Sequence, residues 1–275
     1  MKHADRFRGS TNFISFAVSQ GWYDPASGQP FNVNKVYQWG KERSPTVSLI
    51  EERLRQKTAN AKLTLREFMD TVRDPLVAGD QSGYGQVAHL RPGLAHSDLN
   101  ILWVAATGAV SAPFEPYWIG TQRVPPEYGK HRYLSSGEAE GLVTRDFQIQ
   151  EASDFAYVTF KRLMYYTCDK PDKFLPEVTE ALTAFENQSV TEAQKVESRA
   201  RKLLAVHEQE MARAVLTAYS IQRAQDGLTL GRALLGSIEA RHRLLFGFRE
   251  PQESRMSVPQ ARDEEVGCVK PLSRY

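Results

Sequence analysis

Between Gly83 and Thr121 the hydrophobic rhythm of the chain changes, and that change restricts the possible folds more than any other feature. Tyr84–Leu90, Leu99–Thr107 and Phe114–Thr121 are short runs rich in aromatic and aliphatic residues. Pro92-Gly93 and the stretch from Gly108 to Pro113 punctuate them, so each reads as a strand bounded by turns. Within Leu99–Ala105, leucine, isoleucine and tryptophan follow no clean alternation, the pattern of a strand covered on both faces. The spacing predicts three adjacent antiparallel strands over about residues 84–121.

Helical patterns lie on both sides of these strands. Thr11 to Gln20, with Ser10 as its cap and Gly21 as its stop, places Phe13, Phe16 and Ala17 on one face. Ser44-Pro45 opens a helix to about Gln56. Thr64-Leu65-Arg66-Glu67 is a capping box, with Leu63 placed to staple to Phe68, for a helix to about Val72. Residues 120–140, with Pro125-Pro126 and Gly129, read as loop. Glu151 to Thr167 and Pro171 to Asn187 read as two helices, the second starting at Pro171 or Pro176. Ser189-Val190-Thr191-Glu192 has the form of a capping box for a third helix reaching about Gln225. Its apolar or small positions Val196, Ala200, Leu203, His207, Met211, Ala214, Ala218 and Ile221 predict one buried stripe. Asp226-Gly227 then reads as a stop, with a last helix over Leu228–Phe246. Strands in the middle of flanking helices, without βαβ alternation, predict an α+β fold. One domain is expected over 1–247, with the proline-bearing stretch 248–275 as a disordered tail.

At 275 residues, 41% hydrophobic and 25% charged, the chain has the composition of a globular protein with a sizeable core. A net charge of +2 without a concentrated basic block speaks against a nucleic-acid partner. The sequence has no apolar run of membrane-spanning length, and its first ten residues lack the apolar core of a signal peptide. Two cysteines, Cys168 and Cys268, are too few for a disulfide framework and suggest a reducing, cytoplasmic compartment. Cys168, near a helix C-terminus, sits where the dipole disfavours a thiolate, so it reads as a structural thiol. Cys268 falls in the expected tail. His207-Glu208-Gln209-Glu210-Met211 lacks the second histidine of a zinc-binding helix. Gly83-Tyr84-Gly85 precedes a strand and lacks a third glycine, so it reads as a turn rather than a dinucleotide loop. No metal site and no cofactor are expected.

The densest polar cluster near the strands is His89, Arg91, His96 and Asp98. His89 and Arg91 share a strand face by the period of two, and His96 and Asp98 enter the next strand after the Pro92-Gly93 turn. Two imidazoles, a guanidinium and a carboxylate at one hairpin form either a site for a charged substrate terminus or a set of solvated loop residues.

Four segments resemble the cysteine dipeptidases of the N-terminal-nucleophile hydrolase superfamily. They are Asn12-Phe13 through Gly21-Trp22-Tyr23-Asp24 to Pro30-Phe31 and Tyr37; Leu65 to Asp74; Leu102-Trp103-Val104-Ala105 through Phe114-Glu115-Pro116-Tyr117, followed by Pro125-Pro126-Glu127-Tyr128; and Ala212 to Ala218 with Tyr219-Ser220. The resemblance covers the chain up to about Gly247. It implies part of an αββα sandwich of two stacked antiparallel sheets between helical layers. It also implies hydrolysis of an amide C–N bond by an N-terminal cysteine whose own α-amino group serves as base, a chemistry that needs no cofactor. Here the chain opens Met1-Lys2-His3, so these residues correspond to the family's C-terminal portion without its nucleophile. Pro75 to Asp80 departs from the family's acidic-aromatic stretch at this place. Asn12, at a helix start, is either a remaining substrate contact or a first-turn residue that satisfies the backbone.

The readings that follow are a fragment or split subunit of a dipeptidase, acting on a dipeptide beside an upstream cysteine-bearing chain; a non-catalytic binding or scaffold protein built on the same fold; and a hydrolase of the same superfamily acting on a small acyl amide. A sandwich cut part-way predicts exposed apolar residues or an open sheet edge around Phe7–Phe16, and with it a homo-oligomer or a partner.

Overall fold

The computed structural model describes residues 10–37, 45–59, 62–79, 82–91, 93–129, 155–247 and Cys268. The expectations for 130–154 and for the tail beyond Gly247, Cys268 apart, lie outside these residues, as do those for Phe7 and the start of the helix at Glu151. The chain divides into two compact units at Glu52/Arg53.

In the first unit, α1 (Phe13–Ser19), a 3-10 turn (Pro25–Ser27) and α2 (Val33–Tyr37) gather around aromatic rings. Phe13 meets the edge of Phe31 at 4.9 Å and stacks on Tyr37 at 5.6 Å, and the Tyr37 hydroxyl donates to the Phe13 carbonyl. Helix α1 ends as expected at Gly21, whose φ of 70° is left-handed. The Gly21 N–H reaches the Val18 carbonyl and the Trp22 N–H the Ala17 carbonyl, a Schellman closure. The expected cap differs: Asn12, not Ser10, occupies it, and its side chain makes no capping bond. Phe13 to Phe16 therefore lie in a helix rather than along a sheet edge, although Ile14, Phe16 and Val18 are exposed. Helix α3 (Pro45–Thr58) carries the division between the units.

The second unit is α+β. Helix α4 (Leu65–Arg73) starts from a complete capping box, with Thr64 and Glu67 each bonding the other's backbone. The three strands are β1 (Gly85–His89), β2 (Ile101–Ala105) and β3 (Glu115–Trp118), in the order β1-β2-β3 and antiparallel throughout. Trp103 of β2 sits between Val87 and Pro116. Ile101, Trp103 and Ala105 are buried, whereas Leu102 and Val104 on the opposite face are partly exposed. The expectation of a strand covered on both faces is thus met on one face and only partly on the other. One face packs into the core with Met69, Phe114, Phe160, Leu182 and Leu216, and the other stays half open.

The helices after the sheet have other boundaries than expected, and the stretch read as loop over 120–140 contains a short helix. Short α5 (Pro126–Gly129) precedes α6 (Ala156–Asp169), α7 (Pro171–Ala205) and α8 (Gln209–Phe246). Ser189 does not start a helix. It lies inside α7, where its hydroxyl donates to the Phe185 carbonyl and accepts from Arg223 Nε at 3.0 Å. The local pattern of a capping box is overridden because Phe174, Val178, Leu182, Glu186, Ser189, Ala193, Glu197, Ala200 and Leu204 form one continuous buried stripe. The true break falls at Val206-His207-Glu208. His207 is exposed, with a φ of 63°, and is the sole described non-glycine residue in that region. The His207 N–H bonds Leu204 and the Glu208 N–H bonds Leu203, a second Schellman closure. The expected stripe through His207, Met211, Ala214 and Ala218 is therefore wrong, since it assumed unbroken helix. The buried face of α8 runs instead through Ala212, Leu216, Ser220, Ala224, Gly227, Leu228, Gly231 and Ile238, and Asp226-Gly227 does not interrupt it.

Both cysteine expectations are also corrected. Cys168 and Cys268 form a disulfide with a Cα–Cα separation of 4.1 Å across 100 residues of sequence. Neither is a free thiol, and the compartment argument drawn from them loses its premise. No described helix is long and apolar enough to cross a membrane.

The break at His207 makes an opposite-sign test of the helix boundaries. His207→Gly should raise stability by about 1 kcal/mol, because glycine relieves the left-handed conformation. An unbroken helix would instead lose about 1 kcal/mol to the same change. A urea or thermal melt reads the sign directly.

Candidate functional site

Two of the four polar residues of the hairpin, Arg91 and Asp98, fasten it to different helices. Arg91 reaches α7, pairing with Glu197 at 2.7 Å, while its guanidinium also donates to the Leu99 carbonyl and its backbone N–H to Asn100 Oδ1. Asp98 reaches α8, accepting from Arg213 Nε at 2.9 Å and from Gln209 Nε2 at 3.3 Å. The hydrogen bond from Arg213 is the chief reason its carboxyl titrates below the usual range. His89 ends β1 near Arg91; burial first, then the Arg91 charge, lower its pKa, against an opposing pull from Glu197. His96 is exposed ahead of the turn Ser97–Leu99 and acts on Asp98 by charge alone. Arg91 and Asp98 are thus committed to interactions that hold the hairpin on the helices. Asn12 stands in the first unit, at the start of a seven-residue helix, where its carbonyl accepts from Phe16 N–H and Ser15 Oγ. Among the described residues there is no group of three or more His, Cys, Asp or Glu suited to a metal ion.

A cavity of about 560 Å³ lies instead on the half-open face of the sheet. Leu102 and Val104 of β2, Tyr117 of β3 and Tyr128 of α5 contribute to its walls, and Gln122 and Arg123 are exposed beside them. Its volume is in the range of small-molecule sites, roughly 300–1,000 Å³.

Adjoining this cavity is the least expected group of the molecule. Glu115 begins β3 and is 1% exposed. Its carboxyl lies 2.7 Å from the Tyr128 hydroxyl and 3.4 Å from that of Tyr117. The Tyr128 oxygen is also 2.8 Å from the Ala224 carbonyl. A phenol has one proton and cannot donate to both acceptors. The arrangement closes when Glu115 is protonated and donates to Tyr128, which donates to Ala224. Burial pushes the Glu115 carboxyl well above the ordinary range, and the tyrosine bonds and Arg223 only partly offset this. Burial, reinforced by Glu115, likewise raises Tyr117 and Tyr128, so both remain neutral phenols. Space for the carboxyl comes from α8: a Cβ on Gly227 would lie 2.2 Å from Glu115 Oε1. An alanine there would collide with the carboxyl, which explains a glycine at this position inside the helix.

Sequence reasoning did not assign Glu115 or Tyr128 a role, although both lie in segments that carry the family resemblance. The available signal was one acid inside an otherwise aromatic and proline-rich strand run, Phe114-Glu115-Pro116-Tyr117. No family model matches this chain, and no curated protein matches it.

The protonation of Glu115 has a sign that can be measured. Unfolding lets the carboxyl ionise at its ordinary value, about 4.3, so its contribution to stability falls as pH rises above that value toward the raised folded value. Glu115→Gln cannot ionise and keeps an N–H donor for Tyr128. It should gain stability relative to the parent between acid and mildly alkaline pH in paired melts. A difference independent of pH would mean that Glu115 is ionised in the fold.

Proposed function

We propose that this chain is the sheet-and-helix portion of an N-terminal-nucleophile amide hydrolase akin to the cysteine dipeptidases, and that its nucleophile is supplied by residues outside these 275. The supporting observation is the asymmetry of the sheet. Three antiparallel strands rest on helices through Ile101, Trp103 and Ala105, while Leu102, Val104 and Tyr117 face a half-open apolar cavity. In an αββα sandwich that second face is where another sheet packs. Dipeptides or small acyl amides are the substrate classes this reading implies. The nucleophile is not available from the cysteines here, because Cys168 and Cys268 are bonded to each other.

A non-catalytic binding protein on the same fold is the second reading. It is favoured by one observation: Arg91 and Asp98, the groups best suited to hold a charged substrate, are engaged in ion pairs with the helices.

Co-expression with the coding sequence immediately upstream separates the two. Dipeptide hydrolysis should appear only when a chain with a processed N-terminal cysteine is present, and should vanish when that cysteine becomes serine. Absence of such an upstream chain, or an inert mixture whose components do not associate, would leave the binding reading. Turnover by these 275 residues alone that Cys168→Ala abolishes would overturn the assignment of the disulfide.

A further inference from the structure

The cavity on the open sheet face has a chemical character of its own. Tyr84, Tyr117 and Tyr128 bring three aromatic side chains to its lining, and Leu102, Val104 and Ala156 supply aliphatic surface. Glu127 lines the same cavity, and its Oε2 is buried without a hydrogen-bond partner among the described residues. A buried carboxylate oxygen without a donor is costly, and an N–H from a ligand removes that cost.

We propose that this cavity binds a small organic ammonium compound with an apolar body, its N–H groups donating to Glu127 and its cation seated against the tyrosine rings. A carboxylate alone would accept any donor. Aromatic faces attract a cation in addition, and more strongly as it is desolvated. Tyr117 and Tyr128 are neutral phenols, and their rings present the negative faces of any aromatic side chain. The Glu127 charge reaches this group, since it acts on the Tyr128 hydroxyl. Tyr157 of the lining already meets one ammonium, that of the buried Lys161, whose Nζ lies 5.9 Å from the ring centroid and which does not itself line the cavity. Arg123 is the opposing cation in the lining, but it is exposed and therefore screened by solvent and salt. Glu115, held neutral by burial behind the tyrosines, contributes no charge to the cavity, so Glu127 is the carboxylate that sets the preference. The inference rests on the cavity alone and does not require the chain to be part of a hydrolase.

The test is a calorimetric titration of the 275-residue chain, near neutral pH and at low salt, with three probes of similar shape. These are 2-phenylethylammonium, neutral 2-phenylethanol and anionic phenylacetate. The ammonium should bind at least about tenfold more tightly than either of the others, a difference of about 1.4 kcal/mol. Glu127→Gln should remove that preference. Tyr84→Ala, at a ring 59% exposed and hence dispensable for folding, should weaken ammonium binding severalfold while the melt is unchanged. Equal binding of the three probes, binding of none, or an ammonium preference that survives both substitutions would overturn the proposal. Because no turnover is read, the outcome is independent of whether an upstream cysteine chain exists.

Discussion

The second unit is organised around one buried carboxylate, Glu186. It is fully enclosed on α7, yet among the described residues the hydrogen bonds to its carboxylate come from distant parts of the chain. Arg73, at the end of α4, pairs with it in a two-pronged fork and also donates through Nε to the Ala109 carbonyl at 2.8 Å. Arg66 adds a further bond at 2.6 Å. The Phe114 N–H, just before β3, donates to the same carboxylate at 2.8 Å, and the Arg73 guanidinium lies over the Phe114 ring. A single charge thereby joins α4, α7 and the β2–β3 connection. Desolvating it is expensive, so such a group persists only where donors surround it.

Fixing the β2–β3 connection sets which face of the sheet is buried. Once Phe114 is held, the alternation along β3 follows, and with it the choice of Trp103 for the core and Tyr117 for the open face. Arg91–Glu197 and Asp98–Arg213 repeat the device at the hairpin, each pairing a strand-end residue with a long helix. Helix α8 then packs closely because its inner face is small: a Cβ at Gly231 would lie 2.4 Å from the Phe160 ring. The cavity and its acid–phenol pair are what remains on the face that these contacts do not close.

This order of dependence explains what was legible in the sequence. The strands were, because aromatic and aliphatic runs between glycine and proline turns need no distant information. The Thr64–Glu67 box was, being a local exchange of hydrogen bonds. Ser189–Glu192 carries the same local signature, but Ser189 is taken up by packing against Arg223, which only the tertiary fold supplies. Gly21 and His207 end their helices with the same bonding pattern, yet only the glycine announces it. Glu186 and Glu197 lie in the buried stripe of α7 and break its apolar pattern, and the arginines that justify their burial, Arg73 and Arg91, are 113 and 106 residues away. The disulfide spans 100 residues, and nothing local marks either cysteine as its partner's mate. The polar hairpin cluster was found by density along the sequence, whereas its members face different helices in space. Glu115 went without a role because its meaning depends on Gly227 and Tyr128.

The most direct test of this account is a double-mutant cycle on Glu186 and Arg73, read by equilibrium unfolding. Glu186→Gln and Arg73→Met should each lose about 3–5 kcal/mol, since the first strands the buried Arg73 and the second leaves Glu186 with only Arg66 and the Phe114 N–H. The double variant should lose clearly less than the sum, because neither charge is then stranded. Single variants within about 0.5 kcal/mol of the parent would contradict the claim that this carboxylate sets the sheet on its helices and leaves the opposite face open.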